Sequence, residues 1–199
     1  MRVENNNGIL TLTLARPDKK NALTDAMYGK LADTIESAEF DPSARVILIR
    51  GEGDMFTAGN DVGEFAAIAT GAVQGERHVS RFLQALAQSS RPLVAAVQGR
   101  AVGVGTTMLL HCDLVVLADN AQLSTPFVSL ALVPEAASSL LMPARIGHDD
   151  EARSHLSRIA QACDGSTCGE LCLHVAAQSG LLEAGCSRGH RRQAGIADL

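Results

Sequence analysis

Residues 93–105 read Leu93-Val94-Ala95-Ala96-Val97-Gln98-Gly99-Arg100-Ala101-Val102-Gly103-Val104-Gly105, an apolar run followed closely by three glycines. The five apolar residues at 93–97 predict a buried strand, and the glycines predict a bend over 99–105. Residues 106–111 continue the pattern as a helix. A strand, a glycine-rich loop and a helix in direct succession form the unit from which parallel α/β sheets are built.

The same succession occurs on both sides of this stretch. Residues 46–49 predict an earlier buried strand, the small residues of 56–61 predict a loop, and residues 78–89 predict a helix. Residues 114–117 predict a fourth strand after the glycine-rich bend. Alternation of strands and helices at this spacing predicts an α/β fold with right-handed crossovers and mainly parallel strands.

The N-terminal part supplies one more strand and a helix. Apolar residues alternate over 9–14, which predicts a half-buried strand that ends at Arg16-Pro17-Asp18. Over 24–38, Met27, Leu31, Ile35 and Ala38 recur at helical spacing, with Thr24 as the expected N-cap.

Composition narrows the function classes. The 199 residues carry a net charge of −5, no Trp and one Tyr, which gives no basis for expecting a nucleic-acid partner. No apolar run reaches the roughly 18 residues of a membrane span. Residues 1–8 are polar and contain no signal-peptide hydrophobic region, so we expect a cytoplasmic protein. Five cysteines, an odd number, argue against a disulfide framework.

Two glycine-containing loops lie at strand-to-helix transitions, at 56–61 (Phe-Thr-Ala-Gly-Asn-Asp) and at 99–105. Small residues let a ligand approach the backbone, and a helix N-terminus offers unpaired N–H groups to negative charge. If the loops converge, they form an oxyanion hole. Each loop taken alone is also typical of a tight turn. The order of glycine spacings in the second loop excludes a dinucleotide fingerprint.

A third element is the segment 132–139, Leu-Val-Pro-Glu-Ala-Ala-Ser-Ser. Glu135 stands between a proline and a run of small residues, which leaves room for a substrate to approach its carboxylate. Taken alone, the segment also fits a solvated loop, or a negative charge at the N-terminus of the following helix.

Together these elements resemble the crotonase (enoyl-CoA hydratase/isomerase) family. The resemblance covers about residues 5–148 and rests on motifs in the family's order. These are 21–24 (Asn-Ala-Leu-Thr), 56–61, 99–105, 111–116 (His-Cys-Asp-Leu-Val-Val), Pro126-Phe127 and 132–135. The resemblance implies a core of stacked ββα units arranged as a spiral, and a site that binds an acyl-CoA thioester and stabilises its enolate.

The resemblance also implies roles for individual residues. The backbone N–H groups of Asn60 and Val104 correspond to the family's two oxyanion-hole donors. Coenzyme A contacts are implied at Lys20 (or Lys19), Ala22, Ala58 and Asp61, and the acyl pocket at Met108, Phe127 and Val133.

The acid–base residues distinguish the family's branches. Hydratases carry two glutamates, at positions that correspond here to Thr107 and Phe127, and neither residue can transfer a proton as a carboxylate does. Glu135 stands in a context similar to that of the Δ3,Δ2-enoyl-CoA isomerase branch, where a single carboxylate is the base. We therefore expect Glu135 to be catalytic, with hydratase-like or other crotonase chemistry, or a degenerate non-catalytic acyl-CoA-binding protein, as alternatives.

The resemblance implies no cofactor apart from the coenzyme A of the substrate, and assembly as a homotrimer or a dimer of trimers. Apolar neighbours, Met108, Phe127, Leu132 and Val133, are expected to raise the pKa of Glu135 by desolvation.

The alternation of predicted strands and helices, and the resemblance to the family, end near residue 148. We expect a crotonase-like core over 1–148 and a divergent tail over 149–199, with the family's C-terminal helical region shortened or divergent. The tail contains zinc-ligand residue types, but their spacings do not match a CxxC ligand pair, and we expect no metal site. They are Cys163, Cys168, Cys172, His174, Cys186 and His190.

Overall fold

A five-stranded sheet organises the computed structural model, which describes residues 1–64, 77–146 and 161–162. Its strands are β1 (Arg2–Asn6), β2 (Ile9–Leu14), β3 (Val46–Gly51), β4 (Leu93–Val97) and β6 (Leu114–Leu117). Their hydrogen-bonded order is β1-β2-β3-β4-β6; β2, β3, β4 and β6 are parallel, and β1 is antiparallel to β2.

A tight hairpin joins the first two strands. Asn6 faces Ile9 in the register, so Asn7 and Gly8 form a two-residue turn, with φ angles of 53° and 90°. Two positive φ angles are what a type I′ hairpin turn needs, and Asn-Gly is its favoured sequence.

A smaller sheet holds the glycine-rich bend in place. Its order is β5-β7-β8, with β5 parallel to β7 and β7 antiparallel to β8. Its strands are β5 (Arg100–Val102), β7 (Gln122–Ser124) and β8 (Gln161–Ala162). Because β5 follows β4 directly, this sheet fixes where the chain enters the next helix.

Two amphipathic helices, α1 (Asp25–Ala38) and α2 (His78–Gln88), pack against each other, and their buried faces belong to the core. The Thr24 hydroxyl accepts a hydrogen bond from Met27 N at 3.3 Å and caps α1. The Tyr28 and Phe82 rings meet with centroids 5.5 Å apart.

The other helical elements are short. They include α3 (Val104–Thr107), α4 (Ser138–Ile146), and 3-10 turns at Pro17–Lys19, Met108–His111 and Val128–Leu130.

The expected α/β fold with mainly parallel strands is confirmed. The bend expected over 99–105 needed correction, because it contains a strand, Arg100–Val102. The polar stretch 1–8, for which no element was predicted, contains β1. The helix expected over 106–111 begins at Val104 and changes to a 3-10 turn at Met108.

The boundary at 148 stays a prediction, because the tail lies outside the described residues except for Gln161–Ala162. The candidate zinc-ligand residues also lie outside them. Within the described part of the chain, no helix is long and apolar enough to cross a membrane.

Candidate active site

The first loop, residues 56–61, is joined edge-on to β5. Thr57 N donates to Arg100 O at 3.1 Å, and Val102 N donates to Thr57 O at 3.1 Å. The Thr57 side chain is buried, and its hydroxyl donates to Asn21 O at 2.7 Å. These bonds bring the two glycine-containing loops together.

A parallel bridge to Leu23 sets the orientation of Asn60. Leu23 N donates to Gly59 O at 2.8 Å, and Asp61 N donates to Leu23 O at 2.9 Å. In a parallel bridge the intervening residue directs its own N–H to the other side. Among the residues described, none accepts a hydrogen bond from Asn60 N, which leaves that donor available to a ligand.

The close contact between the loops depends on Gly59. Its φ is +87°, and a Cβ added there would lie 2.7 Å from Val102 O. No side chain fits at that distance without a shift of the backbone.

The second loop ends at Gly103, whose φ of 57° and ψ of −119° lie in a region open essentially to glycine. Gly103 N donates to Ser124 O at 2.8 Å, and its carbonyl accepts from Thr106 N and Thr107 N at 2.9 and 3.0 Å. Val104 is the first helical residue, so its N–H has no intrahelical acceptor. It also has none elsewhere among the described residues.

Gly105 brings this helix start against the first loop, since a Cβ there would lie 2.3 Å from the Thr57 methyl carbon. Asn60 and Val104, whose backbone N–H groups have no acceptor among the described residues, thus belong to loops in direct contact. Such an arrangement can hold a developing oxyanion.

Glu135 lies between the 3-10 turn at Val128–Leu130 and α4. Its carbonyl accepts from Ser138 N at 2.9 Å, and Ala136 and Ala137 follow it with φ of 54° and 53°. The His111 ring lies 2.9 Å through Nε2 from Ala136 O. This turn is strained for residues with a Cβ, and its hydrogen bonds hold the backbone beside Glu135.

Glu135 and Asn60 line the same cleft, which is open to solvent. Burial raises the pKa of the Glu135 carboxyl above its ordinary value, the direction expected from desolvation. The described residues that line the cleft are Leu23, Asp25, Tyr28, Asn60, Asp61, Glu64, Arg77, Val79 and Glu135.

The other carboxylates of the cleft hold local structure. Asp61 pairs with Arg16 at 3.0 Å, and the hydrogen bond from Arg16 lowers the pKa of Asp61. Glu64 accepts from Asp25 N at 2.8 Å, and Asp25 accepts from His78 N at 3.0 Å. Within the described part of the chain, the Glu135 carboxylate accepts no hydrogen bond.

The residues implied as coenzyme A contacts are close together in the fold. Lys20 O accepts from Ala58 N at 2.9 Å, while its exposed Nζ pairs with Asp54 at 3.0 Å. Ala22 O accepts from Arg16 at 2.8 Å. Because Arg16 also bonds Asp61, Ala22 and Asp61 share one partner. Their contact with coenzyme A stays a prediction.

The residues implied for the acyl pocket are dispersed. Met108 and Phe127 are buried, whereas Val133 is 82% exposed. None of the three is among the described residues that line the cleft with Glu135. Their role in an acyl pocket therefore also stays a prediction.

Sequence reasoning missed Tyr28. The residue is buried on α1 and lines the cleft, and its hydroxyl donates a hydrogen bond to Asn60 Oδ1. The helical spacing that predicted α1 places Tyr28 beside Met27 and Leu31, which indicates only a core residue.

The described residues contain no cluster of three or more His, Cys, Asp or Glu side chains that could hold a metal ion.

Comparison with known proteins gives a family match. The family model for enoyl-CoA hydratase/isomerase matches residues 4–169. Enoyl-CoA delta isomerase 2 of Rattus norvegicus is 35% identical over 149 residues, covering 73% of this chain and 38% of the relative. The 2,3-dehydroadipyl-CoA hydratase of Escherichia coli (strain K12) is 33% identical over 149 residues, covering 75% of this chain and 58% of the relative.

Solved structures give the same family match. An enoyl-CoA hydratase/isomerase from Pseudoalteromonas atlantica T6c superposes with a TM-score of 0.78 at 40% identity. The match covers 90% of this chain and 73% of that one. The chain spans between 38% and 58% of the length of the curated relatives it matches.

Proposed function

The chain belongs to the enoyl-CoA hydratase/isomerase family, and from that premise we propose that it isomerises a 3-enoyl-CoA thioester to the 2-enoyl-CoA, with Glu135 as the base. One observation carries the proposal: Glu135 lines the same cleft as Asn60, whose backbone N–H has no acceptor among the described residues. The carboxylate and the residue that carries this N–H thus line one space.

The reaction needs one base. Ionised Glu135 takes a proton from C2 of the 3-enoyl thioester, and the electron pair moves through the C1 carbonyl to give a dienolate. The N–H groups of Asn60 and Val104 hold the thioester oxygen as its negative charge develops. Protonated Glu135 then returns the proton to C4, so that the double bond lies between C2 and C3. Nothing is added or lost.

The raised pKa of Glu135 supports the role of base. Removing a proton next to a thioester is difficult, and a carboxylate becomes a stronger base as its pKa approaches the operating pH. Burial in the cleft wall moves the pKa of Glu135 in that direction.

Isomerisation is favoured over hydration by the side chains at two positions. Water addition by two glutamates needs carboxylates where this chain has Thr107 and Phe127, both of which are buried. The remaining described cleft carboxylates, on Asp25, Asp61 and Glu64, are engaged by Arg16 or by backbone N–H groups. Hydratases are nevertheless among the relatives, so hydration is the second candidate.

Product mass separates these candidates. Purified protein is incubated with a trans-3-enoyl-CoA and, separately, with a trans-2-enoyl-CoA; conjugation is followed by absorbance, and addition of water is followed by mass spectrometry. The proposal expects a conjugated product of unchanged mass from the first substrate and no water adduct from the second. A water adduct from the 2-enoyl-CoA, without isomerisation of the 3-enoyl-CoA, contradicts it. Acyl-CoA binding without turnover would indicate a non-catalytic binding protein.

A further inference from the structure

Tyr28 connects α1 to the first loop. It is 3% exposed, its ring packs against Phe82, and its hydroxyl donates to Asn60 Oδ1. Tyr28, Asn60 and Glu135 all line the cleft. The residue therefore reaches the site from the core side, through the side chain of the residue that offers the free backbone N–H.

Its environment keeps the Tyr28 hydroxyl protonated. Burial, together with the negative charges of Glu135 and Asp25, raises the pKa of Tyr28 well above its ordinary value. A protonated phenol can donate at any pH at which the protein works, so the bond to Asn60 does not depend on pH there.

The hydrogen bond limits what the Asn60 side chain can do. With Oδ1 held by Tyr28, the amide plane is set and Nδ2 projects from its other side. Nδ2 donates to no side chain or carbonyl in the described residues, and it is not one of their buried unpartnered atoms. It belongs to a residue that lines the cleft.

The backbone of Asn60 is held separately, by the bridge through Gly59 O and Asp61 N to Leu23. That bridge fixes the chain on both sides of Asn60 but leaves its side-chain torsions free. The bond to Tyr28 is the described contact that removes this freedom.

We propose that Tyr28 is a positioning residue of the active site, which holds the side-chain amide of Asn60 so that its Nδ2–H faces the substrate thioester. The inference rests on the proposed function, because it takes the cleft as the place where the enolate forms. Tyr28 itself touches no reacting atom; it acts through Asn60.

The test is a double-mutant cycle of Tyr28→Phe and Asn60→Ala. Phenylalanine keeps the ring against Phe82 and removes only the hydroxyl, and alanine removes the Asn60 amide but keeps its backbone N–H. Two rates are measured: isomerisation of a 3-enoyl-CoA, and exchange of the C2 protons of a saturated acyl-CoA with D₂O. The second rate reports enolate formation without any shift of a double bond.

We expect Tyr28→Phe to lower kcat for both reactions by roughly five- to tenfold, the effect of one lost neutral hydrogen bond. KM should stay within about twofold, because ground-state binding is not the interaction removed. In the Asn60→Ala background, Tyr28→Phe should cause no further loss of kcat, because the amide that accepts from the Tyr28 hydroxyl is already absent. Thr13→Val is the matched control: it removes a buried hydroxyl that bonds Arg50 outside the cleft, and kcat should not change.

Three results would overturn the inference. The first is a wild-type kcat in Tyr28→Phe. The second is a Tyr28→Phe loss of kcat that is the same with and without the Asn60 side chain. The third is a loss of kcat in Thr13→Val as large as that in Tyr28→Phe.

Failure of the proposed function is distinguishable from failure of this inference. If the wild-type protein catalyses C2-proton exchange but not isomerisation, the proposed reaction is wrong. The role of Tyr28 is then tested by the exchange rates of the double-mutant cycle. If it catalyses neither, the side-chain amide resonances of Asn60 are compared by NMR in wild-type and Tyr28→Phe protein. A change in their shifts supports orientation by Tyr28, and unchanged shifts overturn it.

Discussion

Substitution of Gly59 by alanine tests whether close packing of the two loops places the oxyanion donor. The new Cβ would lie 2.7 Å from Val102 O, in a residue whose φ is +87°. Gly53 offers a matched control, because its φ is +81° while its added Cβ would meet only Pro17 Cβ at 3.4 Å, an ordinary contact. The two substitutions share backbone strain and differ in the clash.

The magnitudes follow from that difference. A residue with a Cβ at positive φ costs about 1–2 kcal/mol, which is the whole effect expected for Gly53→Ala. Overpacking against a backbone atom adds about 1–3 kcal/mol, so Gly59→Ala should lose that much more free energy of unfolding. Relief of the clash must move either the first loop or β5. A displacement approaching 1 Å at Asn60 N should lower kcat by about 10- to 100-fold.

Two assays measure these effects. Unfolding in urea is followed by far-UV circular dichroism, since the chain has no Trp and one Tyr. Isomerisation is followed at the conjugated-enoyl absorbance band. Equal stability losses in the two variants, or wild-type kcat in folded Gly59→Ala, would refute the reasoning that loop contact sets the position of Asn60.

Three further predictions concern titration and burial. Burial raises the pKa of Glu135, so kcat/KM should fall on the acid side with an apparent pKa above the ordinary glutamate value of 4.5. An apparent pKa at or below that value would contradict this. A carboxyl whose folded pKa is raised destabilises the native state as pH rises past its unfolded pKa. Glu135→Gln should therefore raise Tm at neutral pH and lose that advantage below the ordinary glutamate pKa; a lower Tm at neutral pH opposes this reasoning. Burial raises the pKa of the Cys112 thiol to about 12, so iodoacetamide should label Cys112 only after unfolding, as checked by peptide mass mapping; labelling in the native protein would be the contrary result.

Local sequence patterns predicted the regular elements well. The helix Asp25–Ala38 and the strand Leu93–Val97 follow from apolar spacing and a capping threonine, because burial of one face determines both. The polar strand Arg2–Asn6 gave no such signal, since its side chains are mostly exposed. Its Asn7-Gly8 turn was the available indication of a hairpin.

The sequence motifs indicated some parts of the candidate site, namely the two loops and Glu135. Glycines in the two loops indicated that their backbones can be closely approached, but not that the loops meet; the structure brings Gly59 against Val102 and Gly105 against Thr57. Tyr28 was not predictable, because its contact with Asn60 depends on how α1 lies across the first loop. That arrangement is set by packing between elements distant in sequence.

The short strand Arg100–Val102 was hidden for a related reason. Glycines flank it at 99 and 103, so its sequence indicates a bend, and only pairing with Gln122–Ser124 makes it a strand. Long-range pairing of this kind leaves little trace in a window of a few residues.

The most direct test of Glu135 as the single base is the rate at which a trans-3-enoyl-CoA gains the conjugated-enoyl absorbance. Wild-type protein, Glu135→Gln and a control, Glu52→Gln, are compared; Glu52 lies outside the cleft and pairs with Arg2. The proposal predicts a rise with wild-type and Glu52→Gln protein and none with Glu135→Gln, which should still bind acyl-CoA by calorimetry. A rise of equal rate with Glu135→Gln would contradict the assignment of Glu135 as the base.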